Sequence, residues 1–140
     1  MELRTDKIRA CFDRKIGNFT ELWNLSTNTN YVHCAPRDPL IELYGLKNGE
    51  RVKLSGHISD EVEAPDALIL SYDSFGEYDI SAKVTCRCEQ DRLVFSAEIC
   101  NHSTIDVTEI LMPHLGGIYL GNGQKDYLIY PHHAGDKTED

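Results

Sequence analysis

Between residues 78 and 99 the chain alternates, and nothing else in it restricts the possible folds as tightly. Tyr78, Ile80, Ala82, Val84, Cys86 and Cys88 fall on one side of an extended chain, and Asp79, Ser81, Lys83, Thr85, Arg87 and Glu89 fall on the other. Successive side chains of a strand point to opposite faces, so a period of two makes one face apolar and the other wet. Gln90-Asp91-Arg92 turns the chain, and Leu93, Phe95, Ala97 and Ile99 repeat the alternation on the way back. The pattern predicts a long antiparallel hairpin whose apolar face needs a second layer to cover it. Nowhere do apolar residues recur at helical spacing for three turns.

The remaining segments fit the same class. Residues 7–12 and 19–25 are short β-rich runs around a charged turn at 13–18, which predicts a first hairpin. A polar loop at 26–30 follows, then Tyr31-Val32-His33 and a second loop punctuated by Pro36 and Pro39. Residues 40–46 read as a strand, and Asn48-Gly49, a dipeptide that suits the left-handed dihedrals of a tight hairpin, returns the chain into 50–54. Residues 57–65 are acidic and weakly patterned, which suits a loop or an irregular edge strand; 67–72 is a compact apolar strand. The expected fold is an all-β, antiparallel β-sandwich, supersandwich-like, with little or no helix and a core about 10 Å thick. Residues 1–135 are expected to form the sandwich domain, and 136–140 a polar tail or the start of a linker.

A chain of 140 residues, 41% hydrophobic and 26% charged, has enough apolar surface for one globular core and too much for a disordered segment. Its net charge of -9 argues against nucleic acid or an anionic membrane as partner, since phosphate affinity needs a basic surface. A neutral ligand such as a sugar, or a protein, remains compatible. No run approaches a membrane span, and the opening Met-Glu-Leu-Arg-Thr-Asp-Lys is too charged for a signal peptide, so a cytoplasmic location is expected. Five cysteines, an odd number without secreted-framework spacing, suggest reduced thiols.

Candidate chemistry concentrates in residues 109–136. Two short apolar runs, Gly116-Gly117, Gly121-Asn122-Gly123, Pro113, Pro131 and the His132-His133 pair share this stretch, which reads as strand, turn, strand, turn. Each proline removes a ladder donor and is expected to end its run. Adjacent residues of an extended chain point oppositely, so the two histidines cannot easily share one metal; at most one faces a ligand, and a surface turn with exposed imidazoles is the plainer explanation of the pair. Tyr127, Tyr130, His132 and His133 are the candidate substrate-binding or domain-interface residues. Trp23, Tyr31, Tyr44 and Tyr119 could also stack on a sugar ring or simply sit half-buried on strands.

Other constellations have structural explanations. Cys86 and Cys88 share a strand face and lack the turn spacers of a zinc site, so core packing is expected, with Cys100 on the opposite side. His57, His102 and His114 have no partner carboxylate at a recognisable spacing. The acidic run Asp60-Glu61-Val62-Glu63 fits a solvated face. Neither a nucleophile elbow nor a phosphate-binding glycine loop is present. No metal, no cofactor and no catalytic residue is assigned.

Two stretches carry a family resemblance. The opening Phe12-Asp13-Arg14-Lys15-Ile16-Gly17-Asn18-Phe19-Thr20-Glu21-Leu22-Trp23-Asn24 resembles the start of galactose-mutarotase-like supersandwich domains. The closing run from Met112-Pro113-His114-Leu115-Gly116-Gly117-Ile118 through Tyr130-Pro131-His132-His133-Ala134-Gly135 resembles the end of the amino-terminal sandwich in a bacterial group of glycoside-hydrolase-like proteins. In that group a (β/α) barrel follows the sandwich. The resemblance implies a non-catalytic module that docks on such a barrel and completes its sugar site, with Tyr127, Tyr130, His132 and His133 near the junction. The barrel, with its acid and nucleophile, would begin where this chain stops. The histidine and glutamate of mutarotase activity find no matching motif here. A stand-alone carbohydrate-binding module is the alternative, and an aldose epimerase-like enzyme a third reading.

Overall fold

A computed structural model of the chain describes residues 1–118 in full and residues 127–130 and 136–139 as strands. In chain order the elements are β1 (Glu2–Arg4), β2 (Ile8–Phe12), β3 (Phe19–Asn24), β4 (Thr29–Asn30), β5 (Glu42–Lys47), β6 (Glu50–Leu54) and β7 (Gly56–Glu63). Then come β8 (Ala67–Phe75), β9 (Ile80–Glu89), β10 (Arg92–Asn101), β11 (Asp106–Leu111), β12 (Tyr127–Tyr130) and β13 (Asp136–Glu139). There is no helix among the described residues, and every strand pairing is antiparallel. The fold is all-β and sandwich-like.

The first sheet runs β1-β2-β3-β4, the second β10-β9-β8-β7 and the third β11-β5-β6, while β12 and β13 pair with each other. The long hairpin is in place, with Glu89 opposite Arg92 and Ile80 opposite Asn101. Ile80, Ala82, Val84, Cys86 and Cys88 are all buried on one face of β9, and Lys83 and Arg87 are exposed on the other, as the alternation demands. The predicted first hairpin is β2–β3. Its turn is held by Asp13, whose Oδ1 accepts the N–H groups of Lys15 (2.7 Å) and Ile16 (3.0 Å). Asn48 and Gly49 join β5 to β6 with φ of 54° and 83°, the pair of left-handed residues that matches the twist of a two-residue hairpin.

The acidic stretch expected as a loop or irregular edge resolves into the second of these. β7 is the outer strand of its sheet and slips register twice, near Ile58. Bulges and charge on an edge strand oppose further pairing with another chain. Its acids are not merely solvated, because Arg14 reaches across from the first hairpin to Glu61 and, at 3.0 Å, to Glu63. Within the stretch expected as a tail or linker, Asp136–Glu139 form β13.

One core joins the three larger sheets. The first lays Leu3, Ala10, Phe12 and Phe19 onto Leu68, Leu70, Tyr72 and Val84 of the second, and the third adds Leu43 and Leu54 beside Leu40 and Ile41. Burying a side chain of this size stabilises by about 1.5–3 kcal/mol. Phe12 and Phe19 pack at 4.8 Å between ring centroids, and Tyr72 stacks on Phe75 at 5.6 Å. Contact is close at Gly17: with φ of +70°, it leaves only 2.6 Å between a would-be Cβ and Leu70 Cδ1. Asn18, 1% exposed, fastens the turn from within. Its amide donates to the carbonyls of Asp38 (2.9 Å) and His114 (2.8 Å), and its Oδ1 accepts the N–H of Phe19 (2.8 Å).

Candidate functional site

The apolar row of β10 is where the covering layer runs out. On β9, Ala82, Val84, Cys86 and Cys88 are buried, yet their cross-strand neighbours Ile99, Ala97, Phe95 and Leu93 are only half-buried. Facing Leu93 and Phe95 are Ile8, Phe19 and Leu22 from β2 and β3, with Leu115 from the segment after β11, and between them lies a cleft of about 560 Å³. That is the size of a small-molecule site, for which roughly 300–1,000 Å³ is usual. Phe19 and Phe95 meet edge to face at 6.1 Å in its lining. Trp23 and Tyr31 also border it.

Polar residues line the same cleft where the chain is more exposed: Lys7, Asn24, Ser26, Asp91 and Arg92. Lys7 and Asp91 approach to 3.7 Å, an ion pair linking the start of the first hairpin to the turn of the long one. Arg92 pairs with Glu89 at 2.9 Å. Asn24 is engaged by its own loop, its Oδ1 accepting the N–H groups of Ser26 (3.0 Å) and Thr27 (3.2 Å). The indole N–H of Trp23 donates to Glu21 Oε2 at 2.9 Å, and Arg9 bridges Glu21 (2.9 Å) and Glu2 (3.0 Å) along the same sheet. The polar edge of Trp23 is thereby satisfied inside the protein.

A second polar cluster lies on the third sheet. Glu42 is 2% exposed, accepts the Tyr44 hydroxyl at 3.1 Å and pairs with Lys53 from β6. His114 Nδ1 stands 3.5 Å from its Oε1. Burial pushes the Glu42 carboxyl up, but the hydrogen bonds from Lys53 and Tyr44 outweigh it and hold the group below its ordinary value. His114, which the sequence leaves without a carboxylate partner, thus has one, 72 positions away (114 − 42). A carboxylate held charged in this way is a weak proton acceptor, and neither residue lines the cleft. The arrangement suits a structural ion pair between Glu42 and Lys53.

The sequence-derived candidates stand as follows. Tyr127 and Tyr130 begin and end β12, opposite Glu139 and Asp136, and their side chains lie outside the described residues, as do His132 and His133 altogether. Among the other aromatic candidates, Trp23 and Tyr31 come together at the cleft. Tyr44 does not: Arg51 covers its ring at 3.6 Å. Tyr119 lies outside the described residues. His57 sits on edge strand β7 and His102 follows β10, both exposed. Cys86 and Cys88 are buried, Cys34 and Cys100 are exposed, and these four and Cys11 are free thiols. No group of three potential metal ligands occurs among the described residues, and no helix there is long and apolar enough to cross a membrane.

Sequence reasoning missed Lys7, Asp91, Leu93, Phe95 and Leu115 as cleft residues. The signal was present only in part, in the apolar row that ends the alternation, because nothing local says that the facing sheet stops short of it. Large apolar side chains are also exposed at Leu46, Val62, Ile110 (51%), Leu111 (36%) and Leu115 (46%); Ile110 and Leu111 end β11, and Leu115 lines the cleft. Comparison with protein-family models, with curated proteins and with solved structures finds no match.

Proposed function

We propose that the chain is a non-catalytic β-sandwich module of a carbohydrate-active, glycoside-hydrolase-like protein, and that it holds a ligand in the cleft between its first hairpin and β10. The observation that carries this reading is the cleft itself, a concave site with aromatic and apolar walls and polar groups at its exposed side, the usual make-up of a small-molecule site. Among the described residues its lining contains one carboxylate, Asp91, paired with Lys7, so glycoside hydrolysis by two carboxyl groups finds no second partner among them. The Glu42–His114 pair offers little to an epimerase, since its carboxylate is held charged by Lys53 and Tyr44.

Titration of the 140-residue chain with oligosaccharides, followed through its single tryptophan, tests the reading. A saturable change in Trp23 emission supports it. Hydrolysis of aryl glycosides or interconversion of sugar anomers by the purified chain would instead make it an enzyme and refute the module.

A second reading, docking on a (β/α) barrel, is favoured by the exposed Ile110, Leu111 and Leu115. Leu115 also lines the cleft, so a domain seated on it would lie beside the cleft and share in what it binds. Tyr127, Tyr130, His132 and His133 follow these residues in sequence and belong to the same proposal.

A further inference from the structure

The lining of the cleft says more about its ligand than the module reading requires, and the inference that follows rests on that reading. Ile8, Phe19, Leu22, Leu93, Phe95 and Leu115 offer no hydrogen-bonding side-chain atom. A bare sugar inserted among them would leave some of its hydroxyls without partners, so a ligand that also carries an apolar group fits this wall better. The polar residues gather at the exposed side instead, and the two cations there are already paired, Lys7 with Asp91 at 3.7 Å and Arg92 with Glu89 at 2.9 Å. An anionic head group would meet a carboxylate beside each of them, in a chain whose net charge is -9. A neutral hydroxylated head can donate to Asp91 and accept from Lys7 or Arg92 without breaking either pair.

The geometry points to an amphipathic, uncharged ligand: an alkyl or aryl group inserted between β3 and β10, with a neutral hydroxyl-rich head, of the kind a glycoside carries, at Lys7, Asp91 and Arg92. The half-buried state of Leu93 and Phe95, beside fully buried neighbours on β9, marks the surface that such a group would cover.

Methyl, butyl, hexyl and octyl glucosides, each below its micellar concentration, and 1-octanol are titrated into the full chain with Trp23 emission as the readout. Affinity should rise about fourfold per methylene along the series. Leu115→Gln, at a side chain already 46% exposed and so safe for folding, should weaken octyl glucoside severalfold, and Leu93→Gln should weaken it more. Equal binding of the methyl and octyl compounds overturns the inference and leaves the carbohydrate module standing. Equal binding of 1-octanol and octyl glucoside keeps the apolar pocket and removes the sugar from the reading. Absence of saturable binding by every compound overturns both.

Discussion

Asn18 lies in a stretch that reads locally as a charged surface turn, yet it is the most thoroughly engaged polar side chain of the core. It joins the first hairpin to the 38–40 loop and to the segment after β11 through the carbonyls of Asp38 and His114. Asn18→Ala leaves two carbonyls and the Phe19 N–H without this partner in a buried place, and is expected to cost about 2–4 kcal/mol, read as a lower urea midpoint at constant slope. Gly17 beside it was legible as a turn residue but not as a contact. Only the tertiary fold brings Leu70 and Ile58 to 2.6 and 3.1 Å from its missing Cβ. Gly17→Ala combines a positive-φ residue with that clash, so a loss of about 1–3 kcal/mol is expected in the same measurement.

The long hairpin is the element that the sequence defines best, and its turn carries a small avoidable strain. Gln90 sits at φ of 53°, where a Cβ is disfavoured, while Asp91 is needed for the Lys7 pair. Gln90→Gly should therefore stabilise by up to about 0.5–1 kcal/mol, visible as a higher Tm; a lower Tm would mean that the Gln90 side chain contributes contacts that offset its backbone. The period-two pattern was readable because β9 keeps strict alternation over its ten residues and β10 keeps it from Phe95 to Cys100. Strand β7 was ambiguous because its two bulges break that period, and a shift of one residue moves every side chain to the other face. The β5–β6 pairing followed from Asn48-Gly49 alone.

At the scale of the whole molecule, hydrogen bonds to a buried carboxylate set the acid end of a stability window and burial sets the alkaline end. Glu42 is held below its ordinary 4.5, so its contribution is complete above that value and is lost as pH falls through the folded pKa. Burial pushes Cys86 from 9.0 up to about 12, with Cys88 adding to it, and Tyr72 from 10.0 up to about 12. Both groups bind their protons more tightly when folded, so their contributions are complete below pH 9.0 and 10.0 and are lost as pH rises toward 12. Denaturant midpoints should fall at both extremes, and Cys86→Val should make the alkaline fall shallower. An unchanged alkaline limb in that variant would assign the fall to Tyr72 and other groups. The same burial leaves Cys86 and Cys88 unreactive toward thiol reagents in the native protein while Cys34 and Cys100 react at once, a pattern that mass spectrometry of the labelled chain resolves. The all-β class, the hairpins and the inward face of β9 were determined by the sequence itself, because strand alternation and turn chemistry act between residues close along the chain. The cleft, the Glu42–His114 pair and the closure at Gly17 were decided only by the tertiary structure. The cleft and the Gly17 contact depend on how far one sheet extends over another, and the Glu42–His114 approach on β11 pairing with β5 from far along the chain, neither of which a local pattern encodes.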